Sequence, residues 1–315
     1  MIPIQHTIET PYPVGPVHCY STELAGELVL FDTGPPTEQA QDYLRSHLDL
    51  AKLKHVILTH CHIDHYGLAH WLQQESDATI YLPFRDSLKI NRHQERLEKM
   101  YGLLLQLGFT PDFLEKFKAT MEDGTVFPTL PENYRIIEEG LPGQLGVEAI
   151  ACPGHSQSDL VLAGADWAVT GDVMLRGIFQ SPLLDVDLLS GERFCNYGAY
   201  CATIIQLAGL RGKQILPGHR HSIESVDANI LFYVGKLLER SARIKLIDPA
   251  RPVAEVAFEL FADGQGHPFM VYLKASELVF IRDFLQQPHQ LRQSLETIGL
   301  FPQLAELYQA ALRNT

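Results

Sequence analysis

The stretch Thr59-His60-Cys61-His62-Ile63-Asp64-His65-Tyr66-Gly67-Leu68-Ala69-His70 decides how this 315-residue chain reads. Its centre holds three imidazoles, His60, His62 and His65, and the carboxylate of Asp64, directly after the apolar run Val56-Ile57-Leu58-Thr59. Imidazole and carboxylate are the side chains that bind zinc, iron or manganese. Core packing calls for none of them at this spacing. A strand that ends in a turn, with a glycine close behind, lets several such groups converge on one volume, as a regular strand or helix would not. The stretch therefore reads as a metal site.

Further candidate ligands lie downstream, each after an apolar strand-like run and beside a glycine. His155 follows Ile150-Ala151-Cys152-Pro153-Gly154, Asp172 follows Trp167-Ala168-Val169-Thr170-Gly171, and His219 follows Ile215-Leu216-Pro217-Gly218. Asp32 has the same setting in Leu28-Val29-Leu30-Phe31-Asp32-Thr33-Gly34. Glycine permits the sharp turns that present ligands from strand ends at one edge of a sheet. Cys61 alternates with His60 and His62 and is expected to point away; it and Cys152 read as small packing residues. His18 and Tyr20 are weaker candidates to reach the site from the strand before Asp32. Tyr66, His70, Trp71 and His221 read as structural or pocket-lining. The segment with Arg176, Phe179, Tyr197 and Tyr200 suits a pocket lining and a buried aromatic face equally.

Strand-like segments occur at residues 17–21, 28–31, 56–59, 79–82, 134–137, 146–151, 160–163, 168–170 and 214–216, bounded by Gly, Pro or polar residues. Helical patterns intervene at 37–48, opened by a Thr37 cap, at 65–74 and at 196–208. Strands alternating with helices predict a layered α/β domain within residues 1–224. Residues 83–131 are helix-biased and charged, an extra surface hairpin or a substrate-covering cap. Residues 225–315 read as nearly all helix, at 227–246, 253–261, 272–286 and 289–313, with breaks at Pro249, 264–268 and Pro288.

Composition narrows the function. A net charge of −13 opposes nucleic-acid binding, which rests on excess Lys and Arg. No apolar run approaches the ~20 residues of a membrane helix, and the N-terminus lacks the basic and apolar regions of a signal peptide. The five cysteines are scattered without a Cys-x-x-Cys pair, which favours a reducing compartment. The expectation is a cytoplasmic protein acting on a small molecule, with no nucleic-acid or membrane partner. Its C-terminal helices can pack on their own core or pair with a second copy in a homodimer. Gly-x-Ser-x-Gly and dinucleotide-binding motifs are absent.

Taken in order, Asp32, His60-x-His62-x-Asp64-His65, His155, Asp172 and His219 resemble the five-motif signature of the metallo-β-lactamase superfamily, across most of residues 17–221. The resemblance implies an α/β fold, a four-layer αββα sandwich with a dinuclear site at one edge. The insertion at 83–131 and the C-terminal helical region would be additions to it. It further implies that His60, His62 and His155 hold one metal, that Asp64, His65 and His219 hold a second, and that Asp172 bridges them. Asp32 would orient a ligand histidine by a hydrogen bond. The cofactors implied are two divalent ions, zinc first, with iron or manganese as alternatives. Ions about 3.5–4 Å apart share a water and lower its pKa, which makes Asp64 and Asp172 the candidate catalytic carboxylates of a metal-dependent hydrolase.

Residues 215–219 and the helices after them are similar to the glyoxalase-II-like and acyl-thioesterase-like branch. A thioester or related small acyl ester is therefore the expected substrate. Lactone hydrolysis is the alternative, although lactonases of this fold usually carry a Tyr near the metals, and the sequence assigns none. Two readings of another class share the fold: a mononuclear-iron sulfur dioxygenase, and a metal-binding regulatory protein with incidental hydrolase activity.

Overall fold

A computed structural model describes all residues except 13, 123–127, 181, 261–266 and 314–315, and only the backbone of 121 and 122. Strands β1 (Ile4–Ile8), β2 (Val17–Leu24), β3 (Glu27–Phe31), β4 (Leu53–Ile57), β5 (Thr79–Leu82) and β6 (Tyr134–Ile136) form one sheet in chain order. The β1–β3 pairs are antiparallel and the β3–β6 pairs parallel. The second sheet runs β10-β9-β8-β7, built from β7 (Glu148–Ala151), β8 (Leu160–Ala163), β9 (Trp167–Gly171) and β10 (Gln214–Pro217), with β9 and β10 parallel. The helices are α1 (Glu38–His47), α2 (Ile63–Tyr66), α3 (Ala69–Glu75), α4 (Phe84–Asn91), α5 (His93–Gln106), α6 (Pro111–Glu122), α7 (Asn196–Ala208), α8 (Val226–Ile244), α9 (Val253–Leu260), α10 (Pro268–Gln286), α11 (Pro288–Thr297) and α12 (Phe301–Leu312).

The inner strands of each sheet are covered on both faces, so their residues alternate between two apolar layers rather than between core and water. In β3, Val29 and Phe31 face the second sheet while Leu30 faces away; in β8, Leu160 and Leu162 meet them while Val161 and Ala163 turn outward. The layer between the sheets also takes in Tyr20, Ile57, Trp167, Val169 and Leu216, with the Phe31 and Trp167 rings 5.3 Å apart. Helices α1 and α3 cover the first sheet through Ala40, Leu44, Ala69 and Leu72. The second sheet is covered by α7, α8 and α10–α12, through residues such as Ile204, Val234, Phe280, Leu291 and Tyr308. This is the four-layer αββα sandwich. Among the described residues, no helix is long and apolar enough to cross a membrane.

Several elements differ from the sequence expectation. Strand β1 went unread because His6 occupies an inward position, hydrogen-bonded to Ser21 at 2.7 Å, which hides the period of two. The helix expected at 65–74 is two helices, α2 and α3, because Leu68, at φ −102° and ψ 8°, departs from helical geometry, while Gly67 before it is helical and passes close to its neighbours. A Cβ on Gly67 would lie 2.4 Å from the Ile63 carbonyl oxygen and 2.5 Å from Pro36 Cδ. The helix expected at 289–313 divides into α11 and α12 at Gly299, whose φ of 78° a helix cannot hold. Helix α10 begins at Pro268, earlier than expected, capped by the His267 side chain. Of the break expected at 264–268, residues 264–266 lie outside the described residues.

Within 83–131, of which 123–127 lie outside the described residues, helices α5 and α6 form no bare surface hairpin. Leu97, Met100, Leu104, Leu114 and Phe117 bury against Val256, Tyr272 and Leu278 of α9 and α10 as a further core. The buried Arg96 donates from Nε to Asp185 Oδ1 at 2.9 Å.

Replacing Trp167 by alanine removes the largest side chain of the inter-sheet layer. It is expected to cost about 3–5 kcal/mol of unfolding free energy in a denaturant titration. A loss below about 1 kcal/mol would show that the two sheets do not depend on this contact.

Candidate metal centre

The seven expected ligands meet at one edge of the sandwich, where β4, β7, β9 and β10 end. His60 and His62 lie in the turn between β4 and α2, and Asp64 and His65 on α2 itself. His155 lies between β7 and β8, Asp172 directly follows β9, and His219 comes one residue beyond the end of β10, after Gly218. Their donor atoms fall into two groups, His60, His62, His155 and Asp172, and Asp64, His65 and His219, the atoms within each lying within 4.8 Å of one another.

In the first group His62 Nδ1 is 2.8 Å from His60 Nε2 and 3.2 Å from His155 Nε2. In the second, His219 Nε2 is 3.3 Å from Asp64 Oδ2. Asp172 reaches both: Oδ2 is 3.8 Å from His155 Nε2, and Oδ1 is 3.4 Å from His65 Nε2 and 3.5 Å from His219 Nε2. Tetrahedral ligands on a metal with bonds of 2.0–2.1 Å stand about 3.3 Å apart, and most of these separations fall near that value.

The outer partners fix each ring. His65 donates from Nδ1 to Asp32 Oδ2 at 2.8 Å, and His219 donates from Nδ1 to the Pro16 carbonyl at 2.8 Å. The Thr59 hydroxyl gives its one proton to Asp32 Oδ2 at 2.9 Å. It must then accept from His60 Nδ1, 3.1 Å away, which leaves His60 Nε2 with its lone pair toward the site. His65 Nε2, His219 Nε2 and Asp172 Oδ1 are buried and carry no hydrogen bond, the state expected of atoms whose partner is a cation. Glycine is required around them. A Cβ on Gly218 would stand 2.6 Å from His65 Cε1 and 2.9 Å from Asp172 Oδ1, and one on Gly171 2.5 Å from Thr59 Oγ1. These residues fit divalent cations.

The same geometry polarises the groups in opposite directions. Burial, then the neighbouring imidazoles, hold His60 well below the ordinary histidine range and His62 at about 3, so both present lone pairs. For His65 and His219, burial acts downward but the carboxylates of Asp172 and its neighbours outweigh it, and both are raised. Asp172 is held well below its ordinary range: burial acts upward, but His219 and His65 outweigh it.

The sequence did not signal several residues around the site. Asp86 of α4 accepts the Cys61 N–H at 2.6 Å, and Lys89 pairs with it. Gln180 donates to the carbonyls of Asp172 and Val173 at 2.8 and 2.6 Å. Tyr12, half-buried in the loop before β2, is raised to about 12 by burial and by the charge of Asp64, so its phenol keeps its proton. No motif marks these residues; Asp86 and Tyr12 act on groups distant in the chain, and Gln180 bonds to backbone carbonyls that any sequence offers.

Other candidates are placed elsewhere. His18 Nε2 donates to the Arg220 carbonyl and the Tyr20 hydroxyl to the Pro217 carbonyl, both at 2.7 Å, so they brace the loop carrying His219. Phe179, Tyr197 and Tyr200 belong to the core beside Tyr233 and Phe280, while Arg176 is exposed and pairs with Glu224. The three rings form a buried aromatic face, not a pocket lining. Cys61 and Cys152 pack in separate cores, and burial raises both thiols, Cys152 to about 12, so neither supplies thiolate.

This chain belongs to the metallo-β-lactamase superfamily, whose family model matches residues 12–219. It is similar to the probable metallo-hydrolase YqjP of Bacillus subtilis (strain 168), with 26% identity over 267 residues that cover 81% of this chain and 83% of the relative. Among solved structures, a metallo-β-lactamase family protein of Thermus thermophilus superposes with a TM-score of 0.70 at 21% identity, covering 91% of this chain and 94% of the other. A β-lactamase domain protein of Burkholderia ambifaria gives 0.68 at 18% identity, covering 90% and 86%. At these identities the two structures speak for the fold alone.

A cation must displace the protons that His65 and His219 hold above the ordinary imidazole range. Metal affinity is therefore expected to fall as the pH drops from about 8 to about 6. Titration against a competing chelator at several pH values measures this. An affinity flat across that range would count against these rings as ligands.

Proposed function

We propose that this chain is a metal-dependent hydrolase that cleaves a thioester or a related small acyl ester. The observation that carries the reading is Asp172, whose two oxygens face different ligand groups, so that one carboxylate is placed to bind in both. His60, His62 and His155 would hold one divalent ion and Asp64, His65 and His219 the other, with zinc the first choice and iron or manganese the alternatives. Such a pair would supply a hydroxide near neutral pH and polarise the acyl carbonyl.

The chain supplies the rest. Asp32 and the Pro16 carbonyl hold the His65 and His219 rings in the ligating tautomer. Gly171 and Gly218 let the β9 and β10 ends approach without a side chain between them. Tyr12, raised by burial and by the charge of Asp64, keeps its proton and would be a hydrogen-bond donor. Asp64 and Asp172 are the carboxylates nearest the reacting centre.

The choice of a thioester rests on the likeness of residues 215–219 and the helices after them to the thioesterase-like branch. The net charge of −13 disfavours a polyanionic substrate such as RNA. A lactone is the second reading, favoured by Tyr12, a protonated tyrosine within the field of Asp64.

The metal-loaded protein is expected to turn over an acyl thioester with a higher kcat/KM than a lactone of similar size. His62→Ala and Asp172→Ala are each expected to lower kcat/KM by more than about 100-fold, beyond the loss typical of an outer-shell partner, and to lower bound metal. Full metal content and full activity in both variants would overturn the site. A lactone preferred over the thioester, with a rate that collapses in Tyr12→Phe, would replace the first reading with the second.

A further inference from the structure

We propose that Asp86, on the first helix of the insertion, is a positioning residue that sets His62 and His155 against each other. Its carboxylate is buried, and it holds two loops at once. Oδ2 accepts the backbone N–H of Cys61, the residue between His60 and His62, at 2.6 Å. Oδ1 accepts the Ser158 hydroxyl at 2.6 Å, from the loop that carries His155. Lys89, one helical turn along α4 and also buried, pairs with the same carboxylate and offsets the cost of burying it.

The other ligands have their own supports. His65 and, through Thr59, His60 depend on Asp32, and His219 depends on the Pro16 carbonyl. Among the described residues, the ring nitrogens of His62 have only the rings of His60 and His155 within hydrogen-bonding distance, and those are fellow ligands rather than supports. The direction of the His62 ring is set by the backbone on which it rides, and Asp86 grips that backbone one residue away. Ser158 is tied back toward His155 in turn. Its N–H donates to Ser156 Oγ at 3.2 Å, and Ser156 is held by Asp159 through its N–H at 2.6 Å and its hydroxyl at 2.7 Å. One carboxylate thus cross-links the turn of His60 and His62 to the loop of His155. Partners of this kind act through the ligands they orient, and their loss typically costs 10–100-fold in metal affinity.

The inference rests on the metal-site reading above, and the test separates the two. Full-length protein, stripped of metal, is titrated with zinc against a chromophoric chelator. The variants His155→Ala and His219→Ala identify which binding event belongs to which group. Asp86→Ala is expected to weaken the His155-dependent event about 10–100-fold and to leave the His219-dependent event within about threefold. It should also change the visible absorption of cobalt(II) bound in the first group. Asp86→Asn keeps an oxygen for the Cys61 N–H and should recover part of the loss, and Ser158→Ala should reproduce part of it.

Unchanged affinity for both events in Asp86→Ala would overturn the proposal. So would equal losses at both, the mark of a merely structural role. If Asp86→Ala does not fold, Asp86→Asn and Ser158→Ala carry the same comparison, and wild-type binding in both overturns it. Wild-type protein that binds no divalent cation removes the metal reading and this one together. Wild-type protein that binds two, with the Asp86 variants unaffected, removes this one alone.

Discussion

The buried carboxylate of Asp32 is the point on which the site depends. It accepts the Thr59 N–H at 2.8 Å, the Thr59 hydroxyl and the His65 ring, so it fixes the end of β4 and the start of α2 together. Its own backbone sits at φ 57°, a region that costs most side chains energy but that Asp tolerates better than most. The three hydrogen bonds offset that strain. Because Thr59 spends its proton on Asp32, the His60 tautomer follows as well, and one residue outside the ligand set orients a ring in each group.

The second constraint is electrostatic. Three carboxylates (Asp32, Asp64, Asp172) and five imidazoles (His60, His62, His65, His155, His219) crowd one edge of the sandwich, most of them buried. Charges in a dry interior are tolerated only when paired and hydrogen-bonded. The site meets this by dividing its histidines: His60 and His62 are held neutral by burial, while His65 and His219 are drawn toward the charged form by the aspartates. A region that stabilises positive charge at its acidic half and offers lone pairs at the other suits cations rather than a protein nucleophile. The buried thiols nearby, raised by the same burial, are kept out of the chemistry.

The layers explain why these groups stay in place. The ligand residues other than His155 follow β4, β9 and β10, strands that are largely buried on both faces, so those strand ends cannot shift without disturbing a packed layer. The segment 83–131 adds to this. Helices α5 and α6 share a core with α9 and α10, and α4 sends Asp86 to the ligand turn, so the segment is both a packing unit and a support of the site.

Legible in the sequence were the strands that end at the candidate site, the turn that follows β4 and the seven side chains that the fold gathers there. Those features are local: apolar runs, adjacent glycines and residue chemistry are written into neighbouring positions. The sequence misled where one residue broke a local pattern, as His6 did in β1 and Leu68 between α2 and α3, or where a glycine ended a helix, as Gly299 did. Only the tertiary structure decided that the two oxygens of Asp172 face different groups, that Phe179, Tyr197 and Tyr200 pack inward, and that Tyr12 lies within the field of Asp64. The same holds for Asp86, whose partners Cys61 and Ser158 are 25 and 72 residues away in the chain. No periodicity encodes such contacts, because they arise when separate loops are brought to one sheet edge by the packing of the layers beneath them.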